Sequence, residues 1–68
     1  MNEIRFLVED PPQGGYQARA LGESIYTEAD DLPSLRQMIA DAVECHFDAT
    51  NRPKLVRLHF VHEEVFSL

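Results

Sequence analysis

Polar and hydrophobic residues alternate in the first part of the chain, as they do in strands with one buried face. Ile4, Phe6 and Val8 share one face of the first such segment, while Arg5 and Leu7 point to the other. The alternation predicts three successive strands, over Glu3–Glu9, Tyr16–Leu21 and Ser24–Thr27. Because turn residues separate these segments, we expect the strands to form an antiparallel meander.

A helical period replaces the alternation in the middle of the chain. Apolar residues recur there at spacings of three and four, at Leu32, Leu35, Ile39, Ala42 and Val43, with Phe47 near the edge of the stripe. Asp30 or Asp31 can cap the first turn, and Pro33 falls where its missing N–H costs little. The pattern predicts a helix that ends near Phe47 or Asp48.

Alternation returns in the last predicted strand, Lys54 to His62. Val56, Leu58 and Phe60 form one face of this strand, and the other face is mixed. An apolar tail at residues 65–68 follows, which could extend the strand or dock on a partner.

The predicted order is therefore β-β-β-α-β, an α+β fold with a mostly antiparallel sheet and one helix packed on one face. We expect residues 1–68 to form a single domain. One helix cannot cover both faces of the sheet, so the second face is either exposed to solvent or paired with another subunit. This face is the predicted interface, and its members are Leu7, Arg19, Leu21, Leu55, Arg57, His59 and Val61.

The length and cysteine content favour assembly with other chains. A chain of 68 residues has a thin core and usually needs a disulfide, a metal or a partner subunit. Cys45 is the single cysteine, so an internal disulfide is excluded, and no paired Cys/His motif suggests structural zinc. We therefore expect a homo-oligomer without a cofactor.

The charge balance argues against nucleic acid as a partner. The net charge is −6, whereas phosphate binding needs clustered Lys and Arg. An acidic surface suits a basic partner protein, although it also serves solubility alone. The N-terminal sequence lacks a basic stretch followed by an apolar run, and no apolar segment approaches the ~18–20 residues of a membrane span. We expect a cytoplasmic protein without membrane contact.

Two neighbouring residues of the predicted helix invite a chemical role. His46 falls in the apolar stripe between Ile39 and Val43, where it could be a ligand or a pH switch, or could simply pack near the helix end. Adjacent helical residues diverge by about 100°, so Cys45 and His46 do not form a nucleophile–base pair. We expect a packed His46 and a buried or half-buried Cys45.

Acidic residues gather near the predicted strand ends and loops, at Glu9, Asp10, Glu28, Asp30 and Asp31. Carboxylates near Asp10 and Asp30 could hold Mg²⁺, which makes a metal-dependent nuclease the alternative function. A small-ligand domain is a further alternative. Helix capping and solubility explain the same residues without a site, and we favour that interpretation.

Several short features follow one another in a characteristic order: an acidic strand end, a Gly-Gly-Tyr hairpin, a Thr or acidic helix start and an Ala/Glu-rich helix. In this chain they are Phe6–Asp10, Gly14–Tyr16, Ser24–Ile25, Thr27, Ala29–Asp30 and Asp41–Glu44. Over residues 3–62 this order resembles the HicB antitoxin family. The resemblance implies a partial ribonuclease H-like fold of β-β-β-α-β order. It also implies a non-catalytic domain that self-associates through its sheet and binds a small basic toxin-like ribonuclease.

The chain departs from the HicB pattern in two places. Typical members carry Pro-Asp-x-Pro-Gly after the second strand, where this chain has Arg19–Glu23. Antitoxins usually add a C-terminal DNA-binding segment, whereas this sequence stops at Leu68. We therefore expect no direct DNA binding by this chain, and the family supplies no catalytic residue to carry over.

Overall fold

The computed structural model describes residues 2–68 and has the predicted α+β architecture, with one helix and a four-stranded sheet. Its elements follow the order β-β-β-α-β. Their bounds are β1 Glu3–Asp10, β2 Tyr16–Ala20, β3 Tyr26–Ala29, α1 Leu32–His46 and β4 Leu55–His62. The predicted order is confirmed.

The strands lie in the sheet in the order β3-β2-β1-β4. The first three form the expected antiparallel meander, and β4 pairs with β1 in parallel. A parallel neighbour requires a long crossover, which α1 provides. The third strand begins at Tyr26, later than predicted, because residues 21–25 form a loop closed by a 2.9 Å bond from Ala20 N–H to the Ile25 carbonyl. Gly22, with φ of 87°, allows the reversal.

The core lies between α1 and the sheet. It unites the inward residues of β1 and β2, one residue of the 21–25 loop and the helix stripe: Ile4, Phe6, Val8, Ala18, Ala20, Ile25, Leu35, Ile39 and Val43. The alanines of β2 lie where the helix packs against that strand, and their small side chains allow the close approach.

The ends of α1 follow from local chemistry. Asp31 is the N-cap, and its carboxylate accepts a 2.8 Å bond from the Ser34 N–H. This backbone hydrogen bond lowers the pKa of Asp31. Pro33 lies in the first turn as predicted, and the Phe47 N–H closes the last turn on the Val43 carbonyl at 3.1 Å. Among residues 2–68, no helix is long and apolar enough to cross a membrane.

The helix packs on one face of the sheet as predicted, but it does not cover β4. The helix packs against β2 and β3, and it leaves Val56 and Phe60 of β4 42% and 53% exposed on the same face. A helix is about 10 Å across and strands lie about 4.8 Å apart, so one helix does not span all four strands of the sheet. The edge strand β4 lies outside that width.

Candidate protein-binding surfaces

The predicted interface residues share the sheet face opposite α1. The strand register aligns Arg19, Leu7 and His59 in one row across β2, β1 and β4. Leu55 and Val61 lie on the same face near the two ends of β4, and both are exposed. The strand members of the predicted set therefore share this face, Leu21 follows the end of β2, and their role as an interface stays a prediction.

A second row of this face carries an excess of positive charge. The Leu21 N–H donates to the Arg5 carbonyl at 2.9 Å, and Arg5 is paired in register with Arg57. Both guanidinium groups approach the Glu3 carboxylate, Arg57 at 2.9 Å and Arg5 at 3.4 Å. The hydrogen bond from Arg57 is the main reason that the pKa of Glu3 is lowered. Two cations thus share one carboxylate at this end of the sheet.

The opposite end of the sheet is acidic. Three strands, β1, β3 and β4, end there and α1 begins there, so their terminal carboxylates come together although they are far apart in the sequence. Glu9 and Glu28 flank Gln17 in one row across β1, β2 and β3. We call this region the acidic rim, and it comprises Glu9, Asp10, Glu28, Asp30, Asp31, Glu63 and Glu64.

A histidine tethers β4 to this rim. The His62 Nδ1 lies 2.9 Å from Oδ1 of Asp10 and donates to it when the ring is protonated there. The hydrogen bond and the charge of Asp10 raise the pKa of His62. The rim therefore holds a partly exposed, pH-dependent link between the ends of β1 and β4.

An open depression of about 450 Å³ adjoins the rim, lined by Gly14, Gly15, Tyr16, Gln17, Glu28, Ala29 and Asp30. Gly14 and Gly15 have φ of 104° and 78°, and the Gly14 N–H donates to the Pro11 carbonyl at 2.9 Å. A Cβ on Gly15 would lie 3.3 Å from the Ala29 carbonyl oxygen. The glycine pair therefore shapes the turn and lets it approach β3 closely.

The structure corrects the predicted surroundings of Cys45. Cys45 is exposed, so the buried or half-buried position expected for it is wrong. His46 is exposed as well, but it packs near the helix end as predicted. The helix stripe is buried only where the sheet lies beneath it, and the last turn extends to the 21–25 loop. There His46 Nε2 lies 3.0 Å from the Glu23 carboxylate, and its ring contacts Phe47 edge-on at 4.9 Å between centroids.

The acids proposed for a metal site have other neighbours. Asp10 is bonded to His62, and Asp30 lines the open depression. Among residues 2–68, no three His, Cys, Asp or Glu side chains lie close enough together to hold a metal ion. The described residues therefore supply no ligand set for the nuclease alternative.

Sequence reasoning missed the exposed strip along β4. Val56 and Phe60 lie on the helix side of the sheet, and beyond β4 the tail exposes Val65 and Phe66 by 84% and 80%. An exposed apolar strip of this kind is typical of interaction surfaces. The sequence signal was present in the alternation of β4, but its exposure depends on the width of the helix.

Two relatives show the family of this chain. It is 58% identical over 52 residues to a UPF0150 protein of Archaeoglobus fulgidus, covering 76% of this chain and 77% of the relative. It is 41% identical over 66 residues to a UPF0150 protein of Thermotoga maritima, covering 97% and 93%. No family model matches the chain, and no solved structure matches it. The chain belongs to the UPF0150 family.

Proposed function

We propose that this UPF0150 chain is a non-catalytic protein-interaction module of HicB-like type that binds a small basic protein, such as a toxin-like ribonuclease, and associates with copies of itself. The acidic rim is the observation that supports the proposal most strongly. Its carboxylates come from the ends of several elements that meet at one end of the sheet.

The rim has the electrostatic character that a basic partner requires. His62 contacts Asp10 of the rim and Arg19 lines a depression with Glu9, whereas Arg5 and Arg57 share Glu3 towards the other end of the sheet. A local excess of one sign attracts and orients a partner of opposite sign before contact. Leu7 and Val61 lie beside the rim on the outer face and can supply apolar contacts.

The fold is consistent with the family resemblance. HicB-like domains are expected to have the order β-β-β-α-β, and this chain has that order. The motifs of the resemblance also lie at the rim, because Glu9 and Asp10 end β1, Gly14–Tyr16 line the depression and Asp30 follows β3. We therefore assign partner binding to this end of the domain.

The partner hypothesis is tested with the product of the adjacent gene. We expect that gene to encode a small basic protein whose cleavage of RNA is inhibited by an equimolar amount of this chain. The variant Glu9→Lys/Glu28→Lys should weaken binding at least about tenfold, and the binding should weaken further with added salt.

Asp41→Lys/Glu44→Lys is the matched control, because both residues are exposed on the helix and lie outside the rim. It should bind as the wild type does. Equal weakening by the control pair would show that only net charge matters and would exclude the rim as the site. RNA cleavage by the isolated chain in Mg²⁺ that is lost in Asp10→Asn would overturn the non-catalytic assignment.

A further inference from the structure

The two edges of the sheet are unequally protected. The β3 edge has four residues and carries Glu28, whereas the β4 edge has eight residues and an apolar side-chain strip. Protein sheets usually protect their edges with short strands, charges or covering segments, and a long exposed apolar edge tends to pair with another strand. The β4 edge has the features of a pairing surface.

Half of the backbone N–H and C=O groups of β4 face β1, and the other half face away from it. The Leu55 N–H donates to the Asn2 carbonyl at 3.2 Å, and β4 follows β1 in parallel register from there to His62. Because alternate residues of a strand direct their N–H and C=O groups to opposite sides, those of Val56, Leu58, Phe60 and His62 face the open edge. Another strand could bond to all of them.

The charges along β4 specify how such a strand would run. The segment begins with Lys54 and Arg57 and ends with Glu63 and Glu64. Among residues 2–68, neither of these two glutamates is within ion-pair distance of a cation. An antiparallel copy of the same segment would bring its acidic end to the basic beginning of the first, at both ends of the pairing.

We propose that β4 pairs antiparallel with β4 of a second copy of this chain, joining the two four-stranded sheets into one. This proposal deepens the self-association included in the proposed function and rests on it. A two-fold axis relates the copies, so each contact occurs twice. The occupant of the edge is therefore identical to the strand that it covers.

The cross-strand pairs select one register. With Phe60 opposite Phe60, Arg57 faces Glu63 and Leu55 faces Val65 of the second copy. The neighbouring symmetric registers, centred on His59 and on Leu58, place Arg57 opposite Val61 and His59, so neither gives it a carboxylate. Since Arg57 shares Glu3 with Arg5, a second carboxylate would balance the charge there. The register centred on Phe60 also includes the exposed Val65.

Charge-reversal variants test this register by sedimentation at a series of concentrations. Glu63 is exposed just beyond the end of β4, so Glu63→Arg should leave folding unchanged while weakening the dimer at least about tenfold. Arg57→Glu should weaken it similarly. A mixture of the two variants should form heterodimers, because each chain then supplies the charge that the other needs, and Arg57→Glu/Glu63→Arg should recover self-association.

Glu44→Arg, with the same charge change on the exposed face of α1, is the control and should dimerise as the wild type does. A wild type that stays monomeric to millimolar concentration would overturn the proposal. A folded Glu63→Arg variant that dimerises normally would also overturn it. So would a mixture of Arg57→Glu and Glu63→Arg chains that forms no heterodimers. If the β4 amides become protected from hydrogen exchange only when the basic partner is added, the edge binds that partner instead of a second copy. Neutralisation of the partner by a monomeric chain would leave the proposed partner binding intact while rejecting the pairing.

Discussion

Two regions of this small domain use the same sequence pattern and reach opposite degrees of burial. In β1, the alternating residues Ile4, Phe6 and Val8 are at most 2% exposed. In β4, on the same side of the sheet, Val56 and Phe60 are 42% and 53% exposed. Alternation therefore identifies which face of a strand is apolar, and the position of the strand beneath the helix determines whether that face is buried.

The substitution expected to lower the free energy of unfolding most is at Phe6. Phe6→Ala should lower the free energy of unfolding by about 3–5 kcal/mol, because the side chain is fully buried and leaves a cavity. Phe60→Ala should cost less than about 1 kcal/mol in dilute monomer, since about half of the ring is already in water. Urea unfolding at low concentration measures both, and equal losses would show that β4 is covered in the monomer.

A similar contrast exists within α1. Leu35→Ala should lower the free energy of unfolding by about 2–5 kcal/mol, because Leu35 is buried against the sheet. Met38→Ala, at a position 45% exposed on the same helix, should change it by less than about 0.5 kcal/mol. Thermal unfolding followed by circular dichroism distinguishes them. A stronger effect at Met38 would mean that another part of the helix faces the core.

The helix cap should have a smaller effect. Asp31→Ala removes the carboxylate that accepts from Ser34, whereas Asp30→Ala is a matched control one residue earlier that makes no such bond among residues 2–68. Since the pKa of Asp31 is lowered in the fold, its stabilisation is present above the ordinary aspartate pKa of 3.8 and is lost as pH falls through the folded pKa. Acid unfolding should begin at higher pH in Asp31→Ala only, and an identical shift in both variants would contradict the assigned cap.

The smallest effect belongs to the link between β4 and the rim. The pKa of His62 is raised by Asp10, so its stabilisation is present below the ordinary histidine pKa of 6.5 and is lost as pH rises through the folded pKa. His62→Gln should remove this pH dependence, and His59→Gln on the other face should not. Proton NMR titration of the histidine rings, together with thermal unfolding on either side of neutral pH, provides the measurement. A His62 that titrates with the pKa of an ordinary histidine would show that the contact with Asp10 is absent in solution.

The sequence predicted the elements and most of the core because those depend on local patterns. Leu35, Ile39 and Val43 follow the helical period, and Asp31 is a typical cap residue. The predicted start of the third strand was two residues too early, because the reversal is a loop of five residues, 21–25, rather than a two-residue turn. Loop length is weakly encoded when Gly22 allows several turns.

The candidate surfaces depended on topology, which local patterns do not provide. Glu9 and Glu28 share a row only because β1 and β3 flank β2 in the sheet. His46 had the spacing of a buried residue, but the last helix turn lies beside Glu23 rather than over a strand. Likewise, exposure of Phe60 follows from the parallel pairing of β4 at the sheet edge.

Amide hydrogen exchange at low and high protein concentration tests the interaction role of β4 most directly. The N–H groups of Leu55, Arg57 and His59 face β1 and should be protected at both concentrations. Those of Val56, Leu58 and Phe60 face the open edge. We predict that they exchange rapidly in dilute solution and become protected as concentration rises. Exchange of these three amides that is independent of concentration would contradict the pairing of β4 with a second copy.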